Sequence, residues 1–163
     1  MTDNFIQLEK NNILKLEIKD KTGKETGEFL TFDLEDPQIL LNLQDLIDKD
    51  EKLWKNTRNQ IIIINKRQDK KGKKLLSYNQ EEKIRITIDF FRQEEEIYDL
   101  FLGKGGVKKL LNGRSFNFTT LAEIRKIILV QIKPFIEKTM DIIEEQVKKD
   151  YGIDKIEVDE VIE

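Results

Sequence analysis

From Phe101 to Arg114 the chain reads FLGKGGVKKLLNGR, with glycines at 103, 105, 106 and 113 among lysines and leucines. Such a stretch raises the question of a phosphate-gripping loop. That chemistry needs a strand leading in, backbone amides curled around the anion, and a Lys-Ser/Thr pair opening the next helix. The preceding EEEIYDLFLG has a helical pattern, and Val-Lys-Lys-Leu-Leu follows the glycines, so the hydroxyl that would hold magnesium is missing. The expected structure is a turn. Gly103 falls where a helix C-cap needs a positive φ, Gly105 and Gly106 let the chain reverse, and a short helix over 107–111 ends at Asn112-Gly113.

Other chemistry is restricted by what the chain lacks. It has no cysteine, hence no disulfide, thiolate nucleophile or sulfur-bound metal, and no histidine, hence no imidazole base or ligand. Its two serines, Ser77 and Ser115, sit in neither a GxSxG nor an SxxK setting. Carboxylates remain, but with 32 acids no catalytic pair stands out. The run Glu94-Glu95-Glu96 suggests metal ligands, yet adjacent helical positions point in different directions, so a solvated face is expected. No cofactor, no metal and no enzymatic activity are expected.

The segment Asn65–Lys74, NKRQDKKGKK, sets six basic residues against Asp69 alone, a local charge of +5. It could grip phosphates, but no aromatic residue lies inside it to stack on a base, and the whole chain carries −3. A solvated loop between helices is the expected reading, and nucleic acid is not the expected partner.

The elements around these stretches follow from periodicity. Over residues 12–34 a hairpin is predicted: Leu14, Leu16 and Ile18 alternate with charged residues, and Leu30, Phe32 and Leu34 alternate with Thr31 and Asp33 after a turn-rich DKTGKETG. Two strands alone are marginal, so their apolar face must rest on helices. Asp36 and Pro37 open a helix with apolar positions at Leu40, Leu43, Ile47, Trp54 and Ile61. Ile61–Ile64 also suits a strand, but nothing before it marks a break, so the helix is expected to continue. Ser77 with Gln80 forms a capping box for a helix whose stripes are Ile84, Ile88, Phe91, Tyr98 and Ile86, Phe90, Ile97, Phe101. Thr120 with Glu123 is the expected box of a last long helix carrying Ile128, Ile132, Phe135 and Ile136, with a kink at Pro134.

The expected fold is mainly α with a small N-terminal β-hairpin (α+β), antiparallel helices forming a single domain over 1–152. Gly152 should stop the last helix, leaving an acidic, mobile segment over 153–163, or a short docking segment. No apolar run approaches the ~20 residues that span a bilayer, and the first residues lack the pattern of a secretion signal. The cytoplasm is the expected location.

The order of these pieces, with IRITIDFFRQEEEIYDLFLGKGGVKKLLNGRSFNFTTLAEIRKII at its centre, resembles small tail proteins of long-tailed phages of low-GC Gram-positive bacteria. Those proteins are commonly taken to be tail assembly chaperones. The matching points are Phe90-Phe91, Leu102-Gly103, Gly106, Leu110-Leu111, Gly113 and the helix that follows. Two departures stand out: Lys104, with no acid in the link where relatives often carry Glu, and Arg92 where the aromatic pair of relatives continues as Asp.

The resemblance implies a non-catalytic role in the host bacterial cytoplasm. A tape measure protein is a very long helix with apolar stripes that would aggregate before the tail tube encloses it. A chaperone would cover those stripes with its own helix faces, many copies side by side. The implied partners are the tape measure protein, with the tail tube protein second, and further copies of the chain. Phe90, Phe91, Tyr98, Phe101, Ile128, Ile132, Phe135 and Ile136 are the candidate partner-binding residues, although most of these faces are expected to be consumed by the protein's own core. The alternative is a small regulatory or anti-host factor acting on nucleic acid or a host protein through loop 65–74.

Overall fold

The computed structural model describes residues 12–152. Two antiparallel strands, β1 (Ile13–Lys19) and β2 (Glu25–Asp33), are followed by two long helices, α1 (Gln38–Asn65) and α2 (Tyr78–Leu102). A short α3 (Gly106–Leu111) then leads into α4 (Phe118–Ile127), a π turn over Ile128–Ile132, and α5 (Lys133–Tyr151). The fold is mainly helical with a small N-terminal hairpin. The segment 153–163, expected to be acidic and mobile, lies outside the described residues.

Strand pairing sets Leu14 opposite Phe32 and Leu16 opposite Leu30. Because side chains alternate, this register turns Ile18, Leu30 and Phe32 inward onto the helices. Helix α1 opens as its letters suggest: Asp36 Oδ1 accepts from the Gln38 amide at 2.9 Å, and Pro37 already has helical φ and ψ. The isoleucine run stays in this helix, with Ile64 buried. Ser77 and Gln80 form the reciprocal capping box at the start of α2.

Two expectations need correction. The box at the start of α4 is formed by Asn117 and Thr120, not by Thr120 and Glu123. Asn117 Oδ1 accepts from the Thr120 amide at 3.0 Å, and Thr120 Oγ1 accepts from the Asn117 amide at 2.8 Å. Glu123 instead pairs with Arg114. Pro134 disturbs the last helix one turn earlier than a simple kink. The Lys133 amide reaches back to the Ile128 carbonyl, one residue beyond α-helical spacing, and this wider turn precedes the residue that has no amide to donate.

Asn79 donates to the Ile64 and Arg67 carbonyls, fixing the start of α2 beside the end of α1, so the two helices run antiparallel. Helix α4 then returns along α1. Phe118 lies against Trp54, and Arg125 lies against Asp50. One hydrophobic cluster joins the hairpin to every helix, from Phe32 and Leu43 through Phe90 and Phe101 to Ile132 and Ile136. Among the described residues no helix is long and apolar enough to cross a membrane.

Candidate functional site

The glycine link folds as a turn whose amides are already occupied. Gly103 (φ 93°) and Gly105 (φ 73°) take positive φ, and the Gly103 amide closes α2 on the Asp99 carbonyl. The Asp99 carboxylate then accepts from the Gly105 amide at 3.2 Å and the Val107 amide at 2.9 Å. Thus the loop does form an anion-binding nest at the start of α3, and the anion is the chain's own side chain. Gly106 is needed for a different reason: a Cβ there would stand 2.5 Å from Leu102 Cβ.

The candidate site lies instead along α1, between α2 and α4, where two hollows share Trp54 as a wall. The first, of about 360 Å³, is lined by Leu46, Ile47, Trp54, Ile128 and Leu129, with Asp50, Tyr98 and Arg125 at its polar end. The second, of about 200 Å³, runs from Trp54 past Arg58, Ile61 and Ile62 to Phe118. Trp54, the chain's single tryptophan, is 44% exposed, while Phe118 is 53% and Leu129 52% exposed. Aromatic edges hold the groove's shape. Trp54 meets Phe90 and Phe118 edge-on, and Phe91 meets both Phe116 and Phe118.

Below the first hollow sit four polar groups from three helices. Arg125 donates from Nη2 to Asp50 Oδ1 at 2.6 Å and from Nε to Asp50 Oδ2 at 3.1 Å, a two-point pair that fixes α4 to α1. Tyr98 donates its hydroxyl proton to Asp50 Oδ2 at 3.2 Å. The Arg125 guanidinium also lies 5.8 Å from the centre of the Trp54 ring. Burial opposes its charge, but the hydrogen bonds to Asp50 and Tyr98 outweigh that and hold its pKa above the usual value. Burial, then the Asp50 charge, push the Tyr98 hydroxyl up.

Glu94 is the fourth group. Its side chain is fully buried, and neither carboxyl oxygen has a hydrogen-bond partner. Arg125 Nη2 is 3.8 Å from Glu94 Oε1, an ion-pair separation too long for a hydrogen bond. Burial first and the neighbouring Asp50 second push the Glu94 carboxyl up to about 9, against a weaker opposing pull from Arg125. At neutral pH it therefore holds a proton, and the cluster is one ion pair with two neutral acids.

This overturns the expectation of a solvated face for all three glutamates: Glu96 is exposed and Glu95 partly so, but Glu94 is inside. The spacing carried the signal. Phe90, Glu94 and Tyr98 are each four apart, so Glu94 lies within an apolar stripe. Asp50 likewise stands four from Leu46 and from Trp54.

Of the candidate partner-binding residues, Phe90, Tyr98, Phe101, Ile128, Ile132 and Ile136 are buried. Core packing consumes these six. Phe91 is partly buried, and Phe135 is 38% exposed beneath the Lys138 ammonium, 5.0 Å from its ring centre. Of the large apolar side chains left exposed, which also include Ile63, Ile84, Ile88, Leu100 and Val130, it is Ile47, Trp54, Ile62, Phe118 and Leu129 that line the two hollows, and none of these five was among the candidate partner-binding residues.

Among the described residues no group of three or more acids could hold a metal ion. No family model, no curated protein and no solved structure matches this chain.

Proposed function

We propose that this is a non-catalytic binding protein that holds a partner's amphipathic helix in the groove along Ile47, Trp54, Ile62, Phe118 and Leu129. The observation that carries the reading is this line of exposed apolar side chains around two hollows that share Trp54, while six of the eight candidate stripe residues are packed inside. An apolar face of a helix, with anchors three and four residues apart, is the kind of object that fills such a groove. The resemblance to phage tail assembly chaperones supports the tape measure protein as that partner, met in the host cytoplasm before the tube encloses it. Arg67, in the basic loop, pairs with Glu82, and this favours a structural use for that residue.

Co-expression with fragments of a tape measure protein tests the reading. The fragments should stay soluble with the native chain and precipitate with a variant carrying Ile47→Glu and Leu129→Glu, both at exposed positions. Binding should also shift the emission of Trp54. Equal solubility with and without the chain, or equal binding by the variant, would refute it.

A further inference from the structure

The groove has a chemical polarity that selects its occupant. Its walls are apolar, Arg58 lines the second hollow, and that hollow ends at Ile61 and Ile62, within about 6 Å of helix rise from Lys66. There the +5 segment Asn65–Lys74 begins. An occupant that satisfies both features is apolar on one side and acidic on the other. The chain carries one such stretch. Residues 153–163, IDKIEVDEVIE, hold five β-branched apolar residues and five acids against one lysine, a net charge of −4.

We infer that residues 153–163 of one copy dock in the Trp54 groove of a second copy, with their acids against Arg58 and the basic loop. The direction of the helices makes the contact intermolecular. From Phe118, which faces Trp54, the chain runs 33 residues to Tyr151, roughly 50 Å along the helix axis. Because α4 passes Trp54 and then Asp50, the chain runs on past the first hollow at Ile128 and Leu129, away from the basic end of the groove at Ile61 and Ile62. Eleven extended residues span at most about 40 Å. Along that axis the segment falls short of Arg58 and the basic loop of its own copy, and the acids that meet them come from a neighbour. Such a contact closes when two copies exchange segments and otherwise builds chains or rings of copies. It also gives the free protein a cover for its groove that a tighter-binding partner would displace.

The test uses the full chain and no tape measure protein, so its failure leaves the proposed function standing. In sedimentation velocity the native chain should grow in mass with concentration, and less so at high salt. Ile156→Ser with Val161→Ser should weaken this association more than about tenfold, as should Ile47→Glu with Leu129→Glu. Mixing the two variants should restore a dimer, because one partner keeps an intact groove and the other an intact segment. A native chain that stays monomeric, or association untouched by either variant, would overturn the inference. So would a Trp54 emission shift that depends on the segment but not on concentration, which would mean docking within one copy.

Discussion

Replacing Glu94 with glutamine should make the protein more stable at mildly alkaline pH and should abolish most of its pH dependence. In the unfolded chain a glutamate ionises near its ordinary value of 4.5, whereas the folded carboxyl holds its proton to about 9. Folding must then reprotonate it at any pH between these values. A raised pKa contributes stability that is complete below about 4.5 and is lost steadily as pH rises through about 9. At pH 7.5 the interval is three units, and at ~1.36 kcal/mol each the loss has a ceiling of about 4 kcal/mol. Water in the open groove screens the neighbouring charges, which brings the expected loss to about 2 kcal/mol. Glutamine keeps the shape of the protonated acid and cannot ionise. Urea denaturation from pH 5 to 9 reads the effect without interference, because no histidine or cysteine titrates in that range. Native stability should fall across it, while that of Glu94→Gln stays nearly level and crosses above the native protein. Parallel pH profiles would refute the buried, protonated carboxyl.

Three further substitutions probe the frame of the site. Thr139 is fully buried with its hydroxyl unpartnered, so Thr139→Val should raise stability by about 1 kcal/mol in the same urea assay. Gly106→Ala places a methyl 2.5 Å from Leu102 Cβ, which is fixed to the α2 backbone, and should lower the melting temperature by an amount equivalent to about 1–3 kcal/mol. Asp99→Ala leaves the Gly105 and Val107 amides without their acceptor and should cost about 1–3 kcal/mol, with faster amide exchange confined to α3 and its link.

The parts of the fold legible in the sequence are those set by local rules. Alternation over residues 14–34 placed both strands, Ser77 and Gln80 placed the start of α2, and Asn112-Gly113 placed the end of α3. What stayed hidden depends on partners distant in sequence. Asp50 and Arg125 are 75 residues apart, and neither letter states that the other will neutralise it. The cap of α4 was misplaced because Thr120 serves the Asn117 box from its third position, where its hydroxyl does the work of a glutamate. The π turn was likewise invisible, since Pro134 removes one donor but does not dictate which neighbouring amide adjusts.

The groove was misread for a related reason. The candidate stripe residues are mostly ones that pack inside, while the groove is assembled from residues of α1, α4 and the π turn that never adjoin in sequence. Its floor explains how such a surface tolerates buried charge. With Glu94 protonated, Asp50 and Arg125 cancel, and an apolar occupant meets a floor with no net charge. With Glu94 ionised, the floor beneath Trp54 gains one uncompensated negative charge that an apolar occupant would have to cover. The same proton that stabilises the fold therefore keeps the groove fit for an apolar guest, and retention of partner binding by Glu94→Gln at pH 9, where the native chain weakens, would tie the two together.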